Sequence, residues 1–200
     1  SKSYRAKIAQ AIEKSFRATE RAWMLRSRHA AINSGSTALV AFVAGDQLNA
    51  SVLTVANLGD SRAVLCRGGK AVQITNDHKP TRKDEAARIR ENGGHIIVSS
   101  RGLTRVAHNR VAAGIEASAT ADYKLGLSVS RAFGDRDFKA PHALVSADPE
   151  IHTIELSKES DLFLILGCDG VWDVLSNKEA VEVVAAHLAL FDAKKASLAL

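Results

Sequence analysis

The chain has 200 residues, of which 46% are apolar, 24% charged and 5% aromatic, and its formal net charge is +5. These proportions exclude a disordered tail, a collagen-like repeat and a coiled coil, and the length suits one domain or a large piece of one. No run approaches the roughly 20 apolar residues that a membrane-spanning helix needs, so no membrane partner is expected.

Taken in chain order, no cleavable signal is visible in Ser1 to Arg5, and residues 3–31 predict one long amphipathic helix. Ile8, Ile12, Phe16, Thr19 and Trp23 recur at steps of four and three and share one face. Asn33-Ser34-Gly35 supplies the stop. Arg17, Arg21, Arg26 and Arg28 form the densest basic run, read as a solvated helix face rather than a phosphate-attracting one. The remaining basic residues are spread out with no interleaved aromatics, so nucleic acid is not the expected partner.

Thr37 to Ala44, Ser51 to Leu58, Arg62 to Cys66 and Ala71 to Thr75 are short apolar runs. The turns Gly45-Asp46-Gln47, Gly59-Asp60-Ser61 and Arg67-Gly68-Gly69-Lys70 join them, which predicts an antiparallel meander. Thr81 to Asn92 reads as a helix with Thr81 and Asp84 as a capping box and Gly93-Gly94 as its left-handed stop. A strand follows at His95 to Val98, and residues 99–124 carry few order signals and read as a long surface flap. Leu162 to Cys168 is a nearly unbroken apolar run, expected to be a strand buried on both faces. Ser176 and Glu179 then form a capping box for a last helix, whose stripe is Ala180, Val183, Val184 and Leu188. Cys66 and Cys168 lie in apolar runs and read as reduced, buried thiols, which points to an intracellular protein, cytoplasmic or nuclear. The expected class is α+β, with helices packed on the faces of antiparallel sheets.

Three aspartates carry the candidate chemistry. Asp60 follows Gly59 at the exit of a strand, Asp169 follows the run Leu162 to Cys168, and Asp173 lies one helical turn further on. Carboxylates at strand exits are rigidly held yet reach solvent, and several facing one another repel unless a cation lies between them. Hard oxygen donors favour Mg²⁺ or Mn²⁺ over Zn²⁺. Taken singly, each Asp also fits a plainer role, satisfying the amides of its own turn. Zinc spacings, a P-loop and a G-x-S-x-G elbow are all absent from the sequence, and the seven histidines are scattered.

Seven motifs then recur in a familiar order: Ser34-Gly35-Ser36-Thr37-Ala38; Ala56-Asn57-Leu58-Gly59-Asp60-Ser61-Arg62-Ala63; Asp77-His78-Lys79-Pro80; Glu85-Ala86-Ala87-Arg88-Ile89 leading to Gly93-Gly94; Leu127-Ser128-Val129-Ser130-Arg131-Ala132-Phe133-Gly134-Asp135; Pro149-Glu150; and Cys168-Asp169-Gly170-Val171-Trp172-Asp173-Val174-Leu175-Ser176. Through them the chain resembles the metal-dependent serine/threonine protein phosphatases of type 2C. The resemblance implies a four-layer α/β-β/α sandwich of two packed antiparallel sheets flanked by helices. It further implies hydrolysis of phosphoserine and phosphothreonine in proteins by a water activated at a dinuclear Mg²⁺ or Mn²⁺ site, with no covalent phosphoenzyme. Asp169 matches a ligand of the dinuclear core, so it is the candidate catalytic residue. Asp60 and Asp173 match residues that, with Asp169, hold a further, weaker ion, and Thr37 matches a threonine near it. Arg131 and Asp135 match a structural strand and turn. Phosphorylated proteins are the implied partners, and a monomer the implied state.

The family's Asp-Gly-His-Gly-Gly and Asp-Asn motifs, which supply further core ligands, do not occur in the chain, and neither does its phosphate-gripping basic residue. The expectation is therefore that residues 1–200 are the central part of one phosphatase catalytic domain, with no internal boundary, and that alone they bind the core ions poorly. The alternative is an inactive phosphatase-like scaffold or regulatory binding module.

Overall fold

The computed structural model describes residues 2–30, 33–45, 52–98, 102–108, 126–188 and 197. The first helix, α1 (Lys2–Ala30), forms as its periodicity predicts. Its stripe packs Phe16, with Ile12, on Ala56 and Leu58, and the Phe16 and Phe133 rings lie 5.2 Å apart between centroids. At the far end Trp23 Nε1 donates to the Ser34 carbonyl at 3.1 Å, tying the helix to the segment that follows it.

Strands β2 (Ala38–Ala44), β3 (Val52–Leu58), β4 (Arg62–Arg67) and β5 (Lys70–Gln73) follow the predicted runs, and a two-residue β1 (Gly35–Ser36) precedes them where only a helix stop was expected. They do not make one meander. β3 pairs with β2 and with β9 (Glu150–Glu155), whereas β4 pairs with β5 and with β10 (Asp161–Gly167), every pairing antiparallel. The chain therefore changes sheet at Gly59-Asp60-Ser61. The physical reason is two-sided apolarity. Leu53 and Val55 alternate with Ala56 and Leu58 across β3 so that both faces are buried, and Ala63 and Leu65 alternate with Val64 and Cys66 in β4. A strand with two faces to bury must be central in a sheet covered on both sides, which a hairpin with one covered face cannot provide. Of the turn Gly45-Asp46-Gln47, residues 46 and 47 lie outside the described residues.

Three cores stack accordingly. α1 packs on one side of the β2-β3-β9 sheet. Leu53, Val55 and Ala63 fill the space between the sheets, with Leu39, Ile74, Ile154 and Leu164 around them. Val64, Cys66 and Ile165 face Trp172 of the short α3 (Asp169–Trp172) and Ala180, Val181 and Val184 of α4 (Asn177–Leu188). This is the expected four-layer order. Each fully buried Leu, Val or Phe contributes about 1.5–3 kcal/mol. A further cluster of Ile89, Val106, Ala132, Leu144 and Val145 joins α2 (Lys83–Glu91) to the small β6 (His95–Val98) and β7 (Thr104–Ala107) sheet.

Several local expectations are corrected. Part of the expected flap is strand: β7 pairs with β6, and its Thr104-Arg105-Val106-Ala107 carries no apolar/polar alternation that would signal it. The remainder of the flap from residue 109 lies outside the described residues. The Thr81–Asp84 capping box does not form; Arg82 is the N-cap residue without a side-chain cap bond, and it claims the Asp84 carboxylate at 2.8 and 2.7 Å. The Ser176 box does form, with the Ser176 amide donating to Glu179 Oε2 at 2.8 Å and the Glu179 amide to Ser176 Oγ at 3.3 Å. β10 is not buried on both faces. It is an edge strand, and Leu162 and Leu166 are 61% and 47% exposed. Both cysteines are free thiols, but only Cys66 is buried; Cys168 is exposed just past the end of β10. Among the described residues, no helix is long and apolar enough to cross a membrane.

Candidate metal and active site

β4 and β10 decide where the acidic residues go. In their antiparallel register Arg62 stands opposite Gly167. Asp60 lies two residues before Arg62 and Asp169 two after Gly167, so both strand exits open at the same end of the sheet. Asp169 begins α3, and the Asp173 amide donates to the Asp169 carbonyl at 2.8 Å, which makes the one-turn spacing read from sequence real. The structure thus brings the three predicted aspartates to one end of the molecule, Asp60 buried at 5% exposure and the other two exposed.

The Asp60 turn is shaped by its neighbours. Gly59 has φ +111°, and a Cβ there would fall 2.3 Å from Thr37 Cγ2, so only glycine lets the end of β3 pass. Thr37 shares a hydrogen bond of 3.3 Å with the Ser61 hydroxyl, which places it on this turn. From the other side comes His78. Its amide donates to the Gly59 carbonyl at 2.9 Å, and its Nδ1 lies 3.0 Å from the Gly59 amide, while Ser130 donates through both amide and hydroxyl to the His78 carbonyl. Burial holds the fully buried His78 imidazole well below its ordinary pKa, with the Arg131 charge acting in the same direction.

Arg62 braces the exit. It grips Asp77 through Nε and Nη2 at 2.9 and 2.7 Å, reaches Asn177 Oδ1 through Nη1 at 2.7 Å, and lies 5.4 Å from the centre of the Trp172 ring. Trp172 Nε1 in turn donates to the Gly167 carbonyl at 2.8 Å. One guanidinium thus fixes the segment bearing Asp169 and Asp173 against the strand that bears Asp60. The hydrogen bond to Asp77 raises the Arg62 pKa against the opposing effect of burial, and the charge of Asp173 adds to the rise.

Next to it, Lys79 Nζ donates to Asp60 Oδ2 at 2.5 Å. Burial disfavours its charge, but the bond to Asp60 and the fields of Asp60, Asp173 and Asp77 outweigh that and raise its pKa. Among the described residues, no three His, Cys, Asp or Glu side chains are grouped to hold an ion, and no hydrogen bond or ion pair reaches the Asp169 or Asp173 carboxylate. The donors still fit a hard divalent cation. They are carboxylates, two of them unengaged, and the third already attracts a cation, an ammonium.

Arg131 and Asp135 lie in supporting structure. Arg131 donates to Glu85 Oε1 through Nε and Nη2 at 2.9 and 2.6 Å, and Arg88 donates to Glu85 Oε2 at 2.8 Å. Burial alone would raise the Glu85 carboxyl; the bonds from Arg131 and Arg88 overcome it and hold the pKa at about 2. Asp135 adopts the left-handed conformation at φ 48° in the turn after β8 (Phe133–Gly134), against Gly35. Asp77-His78-Lys79-Pro80 and Arg62 stand within the family motifs, but their roles at the site emerge only from the structure. The available signal was charge: a Lys and an Arg inside motifs that also hold the acidic candidates.

The chain matches the family model described as protein phosphatase 2C over residues 1–199. It is similar to the probable protein phosphatase 2C 59 of Arabidopsis thaliana, 44% identical over 154 residues, which cover 77% of this chain and 40% of that protein. It is also similar to protein phosphatase 1A of Homo sapiens, 37% identical over 175 residues, covering 84% of this chain and 39% of that protein. The chain thus spans about 40% of the length of these curated relatives. Among solved structures, a serine-threonine phosphatase 2C from Toxoplasma gondii shares the fold with a TM-score of 0.75 and 24% identity, over 90% of this chain and 55% of that one. A C. elegans sex determining protein aligns with a TM-score of 0.70 and 27% identity, over 87% of this chain and 36% of that one. With the aspartates at the sheet exits and the family match over nearly every residue, the chain belongs to the protein phosphatase 2C family.

Proposed function

We propose that the protein carrying this chain hydrolyses phosphoserine and phosphothreonine esters in intracellular proteins, at a site that takes Mg²⁺ or Mn²⁺. The observation that carries this reading is the Arg62–Gly167 register, which delivers Asp60 and Asp169 to one end of the sheet. When bound, the divalent ions supply Lewis-acid activation of a water and neutralise phosphoryl charge. This chain's residues would hold and orient them. Asp169 offers an unengaged carboxylate at the start of α3, and Asp173 a second one turn on. Asp60 offers a third, rigid because His78, Thr37 and Ser61 fix its turn. The Arg62 brace keeps the two halves in register.

Phosphopeptide hydrolysis in the presence of Mn²⁺ tests the reading. Asp169→Asn should lower the rate by at least about 100-fold, an effect of the size expected when charge stabilisation is removed, while Asp60→Asn and Asp173→Asn should raise the Mn²⁺ concentration needed. A rate unaffected by Asp169→Asn would refute the assignment. The Lys79–Asp60 ion pair favours a second reading, a phosphatase-like scaffold whose own lysine closes the site. That reading predicts no Mn²⁺-dependent turnover in the whole protein.

A further inference from the structure

We propose that Lys79 is a tethered counter-cation of the Asp60 site, one that holds the buried carboxylate in place without a divalent ion and must swing away for the ion to enter. The proposal rests on the reading of Asp60 and Asp173 as ligands of the weaker ion.

The geometry separates a fixed anchor from a movable head. Asp60 is 5% exposed, and a buried carboxylate left unpaired is costly. Lys79 Nζ meets it at 2.5 Å. The Lys79 backbone is pinned on both sides, by the bonds of His78 to Gly59 and Ser130 and by buried Pro80. Its side chain is 36% exposed, so the ammonium can leave for solvent on its four-carbon stem without disturbing the anchor. The other nearby cation cannot do this. Arg62 is spent on Asp77 and Asn177, and releasing it would break three hydrogen bonds.

An entering divalent ion would use the same Asp60 oxygens and the same Asp173 field that now attract Lys79. Ammonium and ion repel at that range, so each weakens the other, and the lysine raises the metal concentration at which the site fills. Lys79 is in this sense a positioning residue and a setter of metal affinity.

The experiment is Mn²⁺ binding to the 200-residue chain, followed by electron paramagnetic resonance of free Mn²⁺ with a parallel thermal melt. Lys79→Met keeps the stem and removes the charge. It should lower the melting temperature without metal, bind Mn²⁺ about tenfold more tightly, and regain more stability from Mn²⁺ than the parent does. Lys79→Arg, which keeps a cation, should not tighten binding, and neither should the exposed control Lys83→Met. Should Lys79→Met not fold, amine-reactive footprinting of the unmodified chain reads the same event: Lys79 should react slowly without metal and several-fold faster with saturating Mn²⁺. Unchanged affinity in Lys79→Met, or footprinting indifferent to Mn²⁺ that binds, overturns the proposal while leaving the site assignment standing. Absence of Mn²⁺ binding in parent and variant alike overturns the ligand assignment and this proposal with it.

Discussion

Gly59 and His78 hold each other across 19 residues of sequence: the His78 amide donates to the Gly59 carbonyl at 2.9 Å and the Gly59 amide reaches His78 Nδ1 at 3.0 Å. The Gly59 carbonyl already accepts from the His78 amide and from Asn57 Nδ2, so the network assigns Nδ1 as an acceptor. The ring proton then sits on Nε2, which faces Glu150 Oε2 at 3.4 Å. A neutral imidazole is what the Asp60 turn requires.

That requirement sets a pH dependence. His78 is held below its ordinary pKa of 6.5 in the folded state, so below pH 6.5 the unfolded chain takes up a proton that the folded chain refuses. Stability should be constant above neutrality and decline as pH falls below 6.5. Glu85, held at about 2 against an ordinary 4.5, adds a second loss as pH falls from 4.5 towards 2. Urea midpoints across pH 3–8 check this. His78→Asn retains an acceptor for the Gly59 amide and should flatten the first decline. His78→Leu should cost about 1–3 kcal/mol at pH 8, because the buried Gly59 amide is left unpaired. A decline that survives in His78→Asn would assign it to another group.

The individual strands and the position of the acidic residues were legible in the sequence because both depend on local pattern, whereas the four-layer order came from the family resemblance. The apolar runs mark the strands, and Asp60 and Asp169 follow two of them directly. The change of sheet between β3 and β4 was not legible. A glycine turn between two apolar runs has the same appearance whether it closes a hairpin or bridges two sheets, and only the partners β9 and β10, about 100 residues on by the Val55–His152 and Val64–Ile165 pairings, distinguish the cases. Lys79 was missed for a related reason. Its link to Asp60 spans 19 residues between two segments that no periodicity connects. The exposed flank of β10 escaped because apolarity reports what a strand can bury, not whether a neighbour covers it.

Glu85 should be the most costly single truncation in the α2 region. It is 1% exposed and takes hydrogen bonds from Arg131 and Arg88, with Arg82 at 3.4 Å. Glu85→Ala leaves these guanidiniums facing one another around a cavity and should cost about 3–5 kcal/mol. Glu85→Gln, which keeps the volume, should cost less. Arg131→Met should lower stability too, yet leave Mn²⁺ affinity at the parent value, since Arg131 meets Glu85 and not the aspartates. Thermal melts and Mn²⁺ titrations of the three variants give the comparison, and a changed Mn²⁺ affinity in Arg131→Met would contradict its supporting role.

Gly59→Ala should fail for two separable reasons. The backbone at φ +111° resists a side chain, and the new Cβ would meet Thr37 Cγ2 and Cβ at 2.3 and 2.6 Å. The conformational part is of order 1–3 kcal/mol. The contact part should be recovered by Thr37→Gly in the same chain. A double variant that is more stable than Gly59→Ala alone, measured by urea denaturation, shows that Thr37 is pressed against the Asp60 turn. A double variant no better than the single one would place Thr37 elsewhere.

Arg62 offers a test of the brace that is independent of Lys79. Lysine cannot reproduce a fork that holds Asp77 with two nitrogens while reaching Asn177 with a third. Arg62→Lys should therefore lose about 1.5–3 kcal/mol of stability, the range for hydrogen bonds to charged groups. Loss of stability alone would fit any buried arginine. The distinguishing readout is the increment that Mn²⁺ adds to the melting temperature. If Arg62 registers Asp169 and Asp173 against Asp60, that increment should shrink in Arg62→Lys, because the three carboxylates are no longer held in one arrangement. Glu85→Gln supplies the control: it lowers the baseline through a network that does not touch the aspartates, so its Mn²⁺ increment should match the parent. Equal increments in all three proteins would mean that the aspartates bind metal without the brace, and the Arg62–Trp172 contact would then matter to the fold alone.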